Sequence, residues 1–185
     1  MTLSSAQFRS TSMARHPNIP PIIETHDHEY RGSGVESTVA VAGHPLHPVI
    51  VTFPIAFLVA AFGSDLGYYL TQDPFWARAS QWLLGAGIAG GVIAAITGMT
   101  DFLRIKRVQA RSAGWIHMAT NVVVLGISVL NFLPRIDDPV GPILPLGIVA
   151  SAVVAVLLGV SGWFGGELSF RHKVGVIGEQ DRTTS

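Results

Sequence analysis

The chain has 185 residues, of which 49% are hydrophobic and only 13% are charged. Soluble domains carry about 25% charged residues, so this composition disfavours a soluble globular domain. Twelve basic and twelve acidic residues cancel, which excludes the basic surplus of a nucleic-acid-binding protein, and the lack of cysteine excludes disulfides, thiolate metal sites and iron–sulfur clusters held by this chain alone.

The two ends of the chain are polar. Residues 1–42 are rich in serine, threonine, proline and charge, and they contain no apolar run of the length of a signal-peptide core. We predict a disordered cytoplasmic tail here and a short C-terminal tail over residues 177–185. A membrane domain is expected between them, over residues 43–176.

Four apolar segments fill that domain, and each is close to the ~20 residues that cross the hydrocarbon core of a bilayer. They lie at residues 49–70, 82–102, 115–133 and 143–164. Asp73-Pro74 follows the first segment, and Pro134 to Pro142 separates the third from the fourth. The predicted fold class is therefore all-α, an integral membrane four-helix bundle.

Charge sets the expected orientation of this bundle. The loop between the second and third segments and the C-terminal flank hold most of the cations near the spans, namely Arg104, Lys106, Arg107, Arg111, Arg171 and Lys173. The opposite loops hold only Arg78 and Arg135, among aspartates. By the positive-inside rule both termini are expected in the cytoplasm.

The second apolar segment is dense in small residues, and Gly87 and Gly91 form a GxxxG spacing. This spacing lets two helix backbones approach closely. It indicates either tight packing inside the bundle or a homodimer contact through the Gly87/Gly91 face. Room for a flat cofactor beside these glycines is the third interpretation.

Residues 43–48 read Gly-His-Pro-Leu-His-Pro directly before the first apolar segment. Proline disfavours helix at the residue before it, so His44 and His47 are expected in extended or turn geometry, with Pro48 at the first helical position. Imidazole is a common ligand of transition metals and haem. Capping of the first helix is the structural alternative for both histidines.

Polar side chains at the cytoplasmic ends of all four segments are expected to meet in one layer, because successive spans run in opposite directions. Asp101 ends the second span, His117 lies about one turn inside the third, and His172 follows the fourth. An ionisable residue inside a span usually faces the bundle interior and serves a function. The alternative for His117 is a neutral histidine bonded to a backbone carbonyl.

Asp65 stands apart from that layer, about two-thirds of the way through the first span. A lone carboxylate at this depth is costly unless it is protonated or paired. We expect Thr71, Arg78 or Ser80 to satisfy it.

Several motifs together resemble a widespread bacterial family of predicted integral membrane proteins of unknown function. The motifs are the hexapeptide 43–48, Phe53-Pro54-Ile55, Thr97-Gly98 with Asp101, His117, the block 162–166, and the block 171–176. The chain departs from the expected pattern at Lys173, where we expect a glycine. The resemblance implies a four-helix domain of the bacterial inner membrane, sometimes joined to a Rieske-type iron–sulfur domain, and it therefore points to electron transfer.

The leading hypothesis is a membrane redox subunit that binds haem b. Two axial imidazoles give a six-coordinate electron-transfer haem, and His117 with either His44 or His47 is the expected pair. His172 is a further candidate for this cofactor site. Three cations, Arg104, Arg107 and Arg171, are the expected partners of the haem propionates. A Rieske-type or other respiratory redox protein is the expected partner, beside the lipid bilayer.

Two alternatives stay open. One is a non-haem metal or proton-coupled site, whose ligands would be His44, His47, Asp101 and His117. The other is a non-catalytic membrane scaffold or assembly partner. No enzymatic activity is assigned, since Ser64 and Ser161 have no matched histidine at the same depth and the chain has no nucleophile-elbow sequence.

Overall fold

The computed structural model describes residues 34–175. Within this range four helical stretches are long and apolar enough to cross a membrane, namely Leu46–Thr71, Pro74–Arg104, Ser112–Arg135 and Leu146–Arg171. The all-α four-helix bundle is therefore confirmed. The first 33 residues of the predicted N-terminal tail, and the predicted C-terminal tail, lie outside the described residues.

A short hairpin precedes the helices. The elements in chain order are β1 (Ala40–Val41), β2 (His44–Pro45), α1 (Leu46–Ile50), α2 (Thr52–Thr71), α3 (Pro74–Arg104), α4 (Lys106–Gln109), α5 (Ser112–Phe132) and α6 (Leu146–Gly166). Single 3₁₀ turns follow α5 (Leu133–Arg135) and precede α6 (Gly141–Ile143), and a π-helical turn extends α6 (Glu167–Arg171). Helices α1 and α2 form one stretch with an interruption at Val51, because Pro54 has no N–H for the carbonyl of Ile50.

The second long helix begins at Pro74, well before the predicted boundary at residue 82. Asp73 caps this end, since its side chain accepts a hydrogen bond from the Phe75 amide at 2.8 Å. Proline at the first helical position reinforces the start. The cap and the proline therefore fix a boundary that hydropathy placed eight residues too late (82 against 74).

The four long helices follow one another around the bundle. Helix α2 packs mainly on α3, and α5 packs mainly on α6; α2 also contacts α6, and α3 also contacts α5. Helices α2 and α5 are therefore diagonal neighbours. The central core consists of Leu58, Ala61, Leu84, Val124, Val154 and Leu158.

Gly87 and Gly91 are used inside this bundle. A Cβ atom at position 87 would lie 2.7 Å from Cγ and Cδ2 of Leu58, and one at position 91 would lie 2.7 Å from Cδ2 of Leu125. The predicted homodimer through the Gly87/Gly91 face is thus corrected, because this face packs against α2 and α5 of the same chain. Close helix packing is the role of the GxxxG spacing.

We expect Gly87→Ala to lower the free energy of unfolding by about 1–3 kcal/mol, because the added methyl group overpacks against Leu58. Gly126→Ala is the matched control, since a Cβ atom at position 126 of α5 meets nothing within 4 Å. The control is expected to be neutral or stabilising by about 0.5–1 kcal/mol, as alanine is the better helix former. Thermal unfolding in detergent measures both, and equal destabilisation by the two variants would contradict this packing.

Part of the predicted N-terminal tail belongs to the folded domain. Val35 forms a parallel bridge with Val174: its amide donates to the Lys173 carbonyl at 2.9 Å, and its carbonyl accepts from the Gly175 amide at 2.7 Å. Both valines pack on a second buried cluster, formed by Phe102, Ile105, Val108, Ala113 and Leu168. The domain therefore begins before residue 43, and its two ends meet at one end of the bundle.

Candidate histidine site

His47 is the second residue of α1 and contacts α3. The predicted extended or turn geometry is therefore wrong for His47, and Pro48 is the third helical residue rather than the first. Its Nδ1 lies 2.9 Å from the carbonyl oxygen of Ala94. A carbonyl only accepts, so Nδ1 carries a proton and donates it, which leaves Nε2 as the nitrogen that could bind a metal. The ring lies against Gly98, where a Cβ atom would come within 2.6 Å of Cε1 of His47.

His117 of α5 has the same arrangement on α6. Its Nδ1 donates to the carbonyl oxygen of Ser161 at 2.9 Å, and its ring lies against Gly165. The Ser161 hydroxyl also lies 3.1 Å from this Nδ1, so the expectation that Ser161 has no histidine at its depth is wrong. Nδ2 of Asn121 donates to the His117 carbonyl at 2.8 Å and lies 3.3 Å from the ring Nε2. An amide nitrogen only donates, so Nε2 is an acceptor and His117 is the neutral tautomer protonated on Nδ1. A hydrogen bond from His117 to a backbone carbonyl is the predicted structural alternative to a ligand role, and this bond is present. A hydrogen bond of the same kind also orients histidines that bind metals.

The imidazole rings of His47 and His117 lie close together in an edge-on arrangement. Their centroids are 6.1 Å apart and their planes are nearly perpendicular, at 88°. The Ala94 carbonyl is ten residues before the end of α3 at Arg104, which is about 15 Å along a helix. The histidine pair therefore lies further from the end of α3 than the sequence predicts.

The other predicted ligands are not brought to this pair. His44 is exposed on β2. The Asp101 carboxylate accepts from the Ser37 hydroxyl at 2.6 Å and from the Thr38 amide and hydroxyl, both at 2.7 Å. Among residues 34–175 no three histidine, aspartate or glutamate side chains form a group that could hold a metal ion. The predicted metal set of His44, His47, Asp101 and His117 thus does not converge in this part of the chain.

His172 is buried at the turn after α6, and its carbonyl lies 3.4 Å from a guanidinium nitrogen of Arg107. Burial, followed by the positive charge of Arg111, lowers the pKa of His172 below its ordinary value. Of the predicted propionate partners, Arg171 pairs with Glu167 at 3.2 Å and Arg104 is exposed at the end of α3. These groups form the outer rim of the same end of the bundle.

Lys173 follows in left-handed backbone geometry, with φ of +51°. Glycine adopts this conformation without strain, which explains the glycine expected here. The lysine makes the turn nonetheless, since the amide of Val174 bonds to the Leu168 carbonyl at 3.1 Å.

A second buried polar group occupies the other end of the bundle. We call it the arginine cluster; it consists of Asp65, Ser80, Asn131, Arg135 and Ser151. Arg135 binds Asp65 through two parallel hydrogen bonds of 2.6 and 2.9 Å, and both side chains are 0% exposed. The guanidinium also donates to Ser80 at 2.8 Å and Asn131 at 2.9 Å, and Ser151 donates to Asp65 at 2.7 Å. The cluster therefore connects all four long helices.

This cluster corrects the predicted partners of Asp65. Thr71 donates instead to the Gly67 carbonyl at 2.7 Å, Arg78 is exposed, and Ser80 reaches Asp65 only through Arg135. The sequence predicts a loop at Arg135, because Pro134 precedes it and two aspartates follow it closely. The helical path continues through the 3₁₀ turn Leu133–Arg135, which turns this side chain inward.

Comparison with known proteins gives one match. No curated protein and no solved structure matches the chain. A family model described as a predicted membrane protein, DUF2231, matches residues 43–178, which is most of the chain and includes His47, His117 and every member of the arginine cluster. The chain therefore belongs to the DUF2231 family of predicted membrane proteins.

Proposed function

We propose that the protein is a multi-pass subunit of the bacterial inner membrane that binds haem b between His47 and His117 and transfers electrons. One observation carries the proposal. Two imidazole rings lie 6.1 Å apart inside the bundle, each with its Nδ1–H on a helix carbonyl, so a metal would be bound through Nε2. The Asn121 amide, 3.3 Å from Nε2 of His117, would have to turn away when a metal binds.

His47 and His117 would be the residues that hold the iron, and the spacing of their rings supports this. A ligating imidazole nitrogen lies about 2 Å from its metal and the ring centre about 1 Å further, so two opposed imidazoles have centroids about 6 Å apart. The observed separation is 6.1 Å. When bound, haem would supply one-electron redox chemistry.

The chain's own residues hold and orient the ligands. The carbonyls of Ala94 and Ser161 fix the ring orientation of His47 and His117 and raise the basicity of Nε2. At the rim, Arg104, Arg107 and Arg171 are the proposed partners of the propionates, and the exposed Arg104 requires the least rearrangement. We place this rim in the cytoplasm, where its cations would also meet a Rieske-type or other respiratory redox partner.

Absorbance spectroscopy tests this function. The full chain is purified after haem-replete expression, and oxidised and dithionite-reduced spectra are recorded. We expect a Soret band and a sharp reduced α-band, both lost in His47→Gln and in His117→Gln. His44→Gln is the matched control, because His44 is exposed, and it should keep the wild-type spectrum. A wild-type protein without a Soret band would overturn the proposal.

A non-catalytic scaffold is the second candidate, and the arginine cluster favours it. The cluster links four helices, and both terminal nitrogens of Arg135 and both carboxylate oxygens of Asp65 are bound within it, as expected of a structural element. For a scaffold, His47→Gln and His117→Gln would change stability without changing any spectrum. Elemental analysis of the same preparations separates both cases from a non-haem metal site.

A further inference from the structure

The two helical hairpins, α2–α3 and α5–α6, bury residues at matching positions. Four of the five buried residues of α2 lie 70 positions before buried residues of the third span, the pairs being Pro54 and Val124, Leu58 and Ser128, Ala61 and Asn131, and Asp65 and Arg135. Between α3 and α6 the offset is 67 positions (80 to 147), the pairs being Ser80 and Gly147, Leu84 and Ser151, Gly87 and Val154, and Ala94 and Ser161. Any two helices of a bundle bury residues at a heptad spacing, so matching burial is not evidence of duplication. It only sets the register in which the two hairpins are compared.

Individual contacts repeat in the same register, which a shared heptad does not explain. His47 donates to the Ala94 carbonyl and lies on Gly98, four residues later in α3. At the equivalent positions His117 donates to the Ser161 carbonyl and lies on Gly165, four residues later in α6. Both hydrogen bonds measure 2.9 Å. Histidine, carbonyl and glycine thus form one ligand module that occurs twice.

The other end of the bundle repeats as well. The hydroxyl of Ser80 in α3 donates to the Ala61 carbonyl of α2 at 3.3 Å. The equivalent pair of positions is also hydrogen-bonded, with the roles exchanged, since the side chain of Asn131 in α5 donates to the Gly147 carbonyl of α6 at 3.2 Å. Asp65 occupies the position equivalent to Arg135, and these two residues bind each other. Equivalent residues meet in this way only when they flank a two-fold axis.

We infer that the domain is an internal duplication of one helical hairpin, with a pseudo-two-fold axis along the bundle on which both polar sites lie. The helix contacts obey this symmetry, since α2 touches α3 and α6 while its equivalent α5 touches α6 and α3. At one end the axis brings two identical side chains together, His47 and His117. At the other end the equivalent positions have diverged into Asp65 and Arg135, so that the halves attract each other.

The duplication makes the two histidines equivalent ligands. Such a site takes a ligand that offers the same coordination position on two opposite faces. This consequence rests on the proposed function, and haem iron satisfies it; the duplication itself does not depend on any cofactor.

A symmetrised variant tests the duplication. Asn121 and Ser161 are the polar residues of the second module, and their equivalents in the first are Val51 and Ala94. The double variant Asn121→Val/Ser161→Ala removes from the second module the two polar side chains that the first module lacks. Thr97, whose hydroxyl lies 3.5 Å from Nδ1 of His47, and its equivalent Phe164 stay different. We measure imidazole ¹⁵N spectra of the full chain, labelled on histidine and purified in detergent without added haem, and assign the signals from His47→Gln and His117→Gln.

In the wild type we expect both rings to be protonated on Nδ1 and unprotonated on Nε2. In the symmetrised variant His117 keeps this tautomer, and its signals move towards those of His47. Gly98→Ala is the disrupting control: its Cβ atom would lie 2.6 Å from Cε1 of His47, so only the His47 signals should change tautomer. A proton on Nε2 of either ring, or loss of the His117 tautomer after symmetrisation, would overturn the inference. Because no haem is added, failure of the proposed function leaves these outcomes unchanged.

Discussion

Replacing Arg135 with methionine should lower the free energy of unfolding by about 3–5 kcal/mol, because it leaves the buried Asp65 carboxylate without its partner. Asp65→Leu alone should cost a similar amount, since it strands the guanidinium instead. Both side chains are 0% exposed, so water cannot replace either partner without rearrangement of the helices. Equilibrium unfolding in mixed detergent micelles measures these differences.

The double variant Asp65→Leu/Arg135→Met completes the cycle. Removing both charges removes the stranded group, so we expect the double variant to be more stable than either single one. Arg78→Met is the matched control, since Arg78 is exposed near the same end of the bundle, and it should change stability by no more than about 0.5 kcal/mol. Additive losses in the double variant would contradict a direct Asp65–Arg135 interaction.

The four spans were predictable because composition dictates them, whereas their ends depend on local chemistry. Hydropathy falls in the stretch that holds Arg78, Ser80 and Gln81, so a window of apolar residues starts after it. The helix nonetheless starts at Pro74, where Asp73 satisfies a backbone amide. Ser80 is fully buried within this stretch because a neighbouring helix supplies its partner.

The histidine pair was predictable only in part. Alternating helix direction placed His47 and His117 in the same layer, and the structure brings their rings to 6.1 Å. The same reasoning also predicts Asp101 in the layer of the histidines, yet the Asp101 carboxylate accepts hydrogen bonds from Ser37 and Thr38 instead. Direction along a span can be inferred from sequence, but the rotation of a side chain about the helix axis depends on its packed neighbours.

The duplication is hidden in the sequence because the equivalent buried positions carry different residues. Asp65 and Arg135 have opposite charge, and Ala61 corresponds to Asn131. Residues next to the two-fold axis are expected to diverge after a duplication. In one chain the two copies of a position mutate independently, so each copy can adapt to a different residue across the axis. The histidine module differs in this respect, since His47 and His117, like Gly98 and Gly165, are identical and occupy the same contact in each hairpin. This identity singles out this end of the axis as the chemical one.

Asp101→Asn should release the segment that precedes the first helix. The Asp101 carboxylate accepts three hydrogen bonds from Ser37 and Thr38, and no other group in the described part of the chain is seen to bind either the Thr38 amide or its hydroxyl. An asparagine keeps one acceptor but turns an N–H₂ group towards a donor. A hydrogen bond to a charged group contributes about 1.5–3 kcal/mol, so amide exchange at Thr38 should accelerate at least about tenfold.

Hydrogen exchange followed by mass spectrometry measures this release, and limited proteolysis between residues 34 and 45 gives an independent readout. Asp138→Asn is the matched control, because Asp138 also accepts backbone hydrogen bonds, from Val140 at 2.9 Å and Gly141 at 3.1 Å, but in the loop before α6. Its effect should stay in that loop. Val35 pairs with Val174 independently of Asp101, so exchange at Val35 should accelerate less than exchange at Thr38. Unchanged exchange at Thr38 would show that the Val35–Val174 bridge alone holds the segment over the histidine end of the bundle.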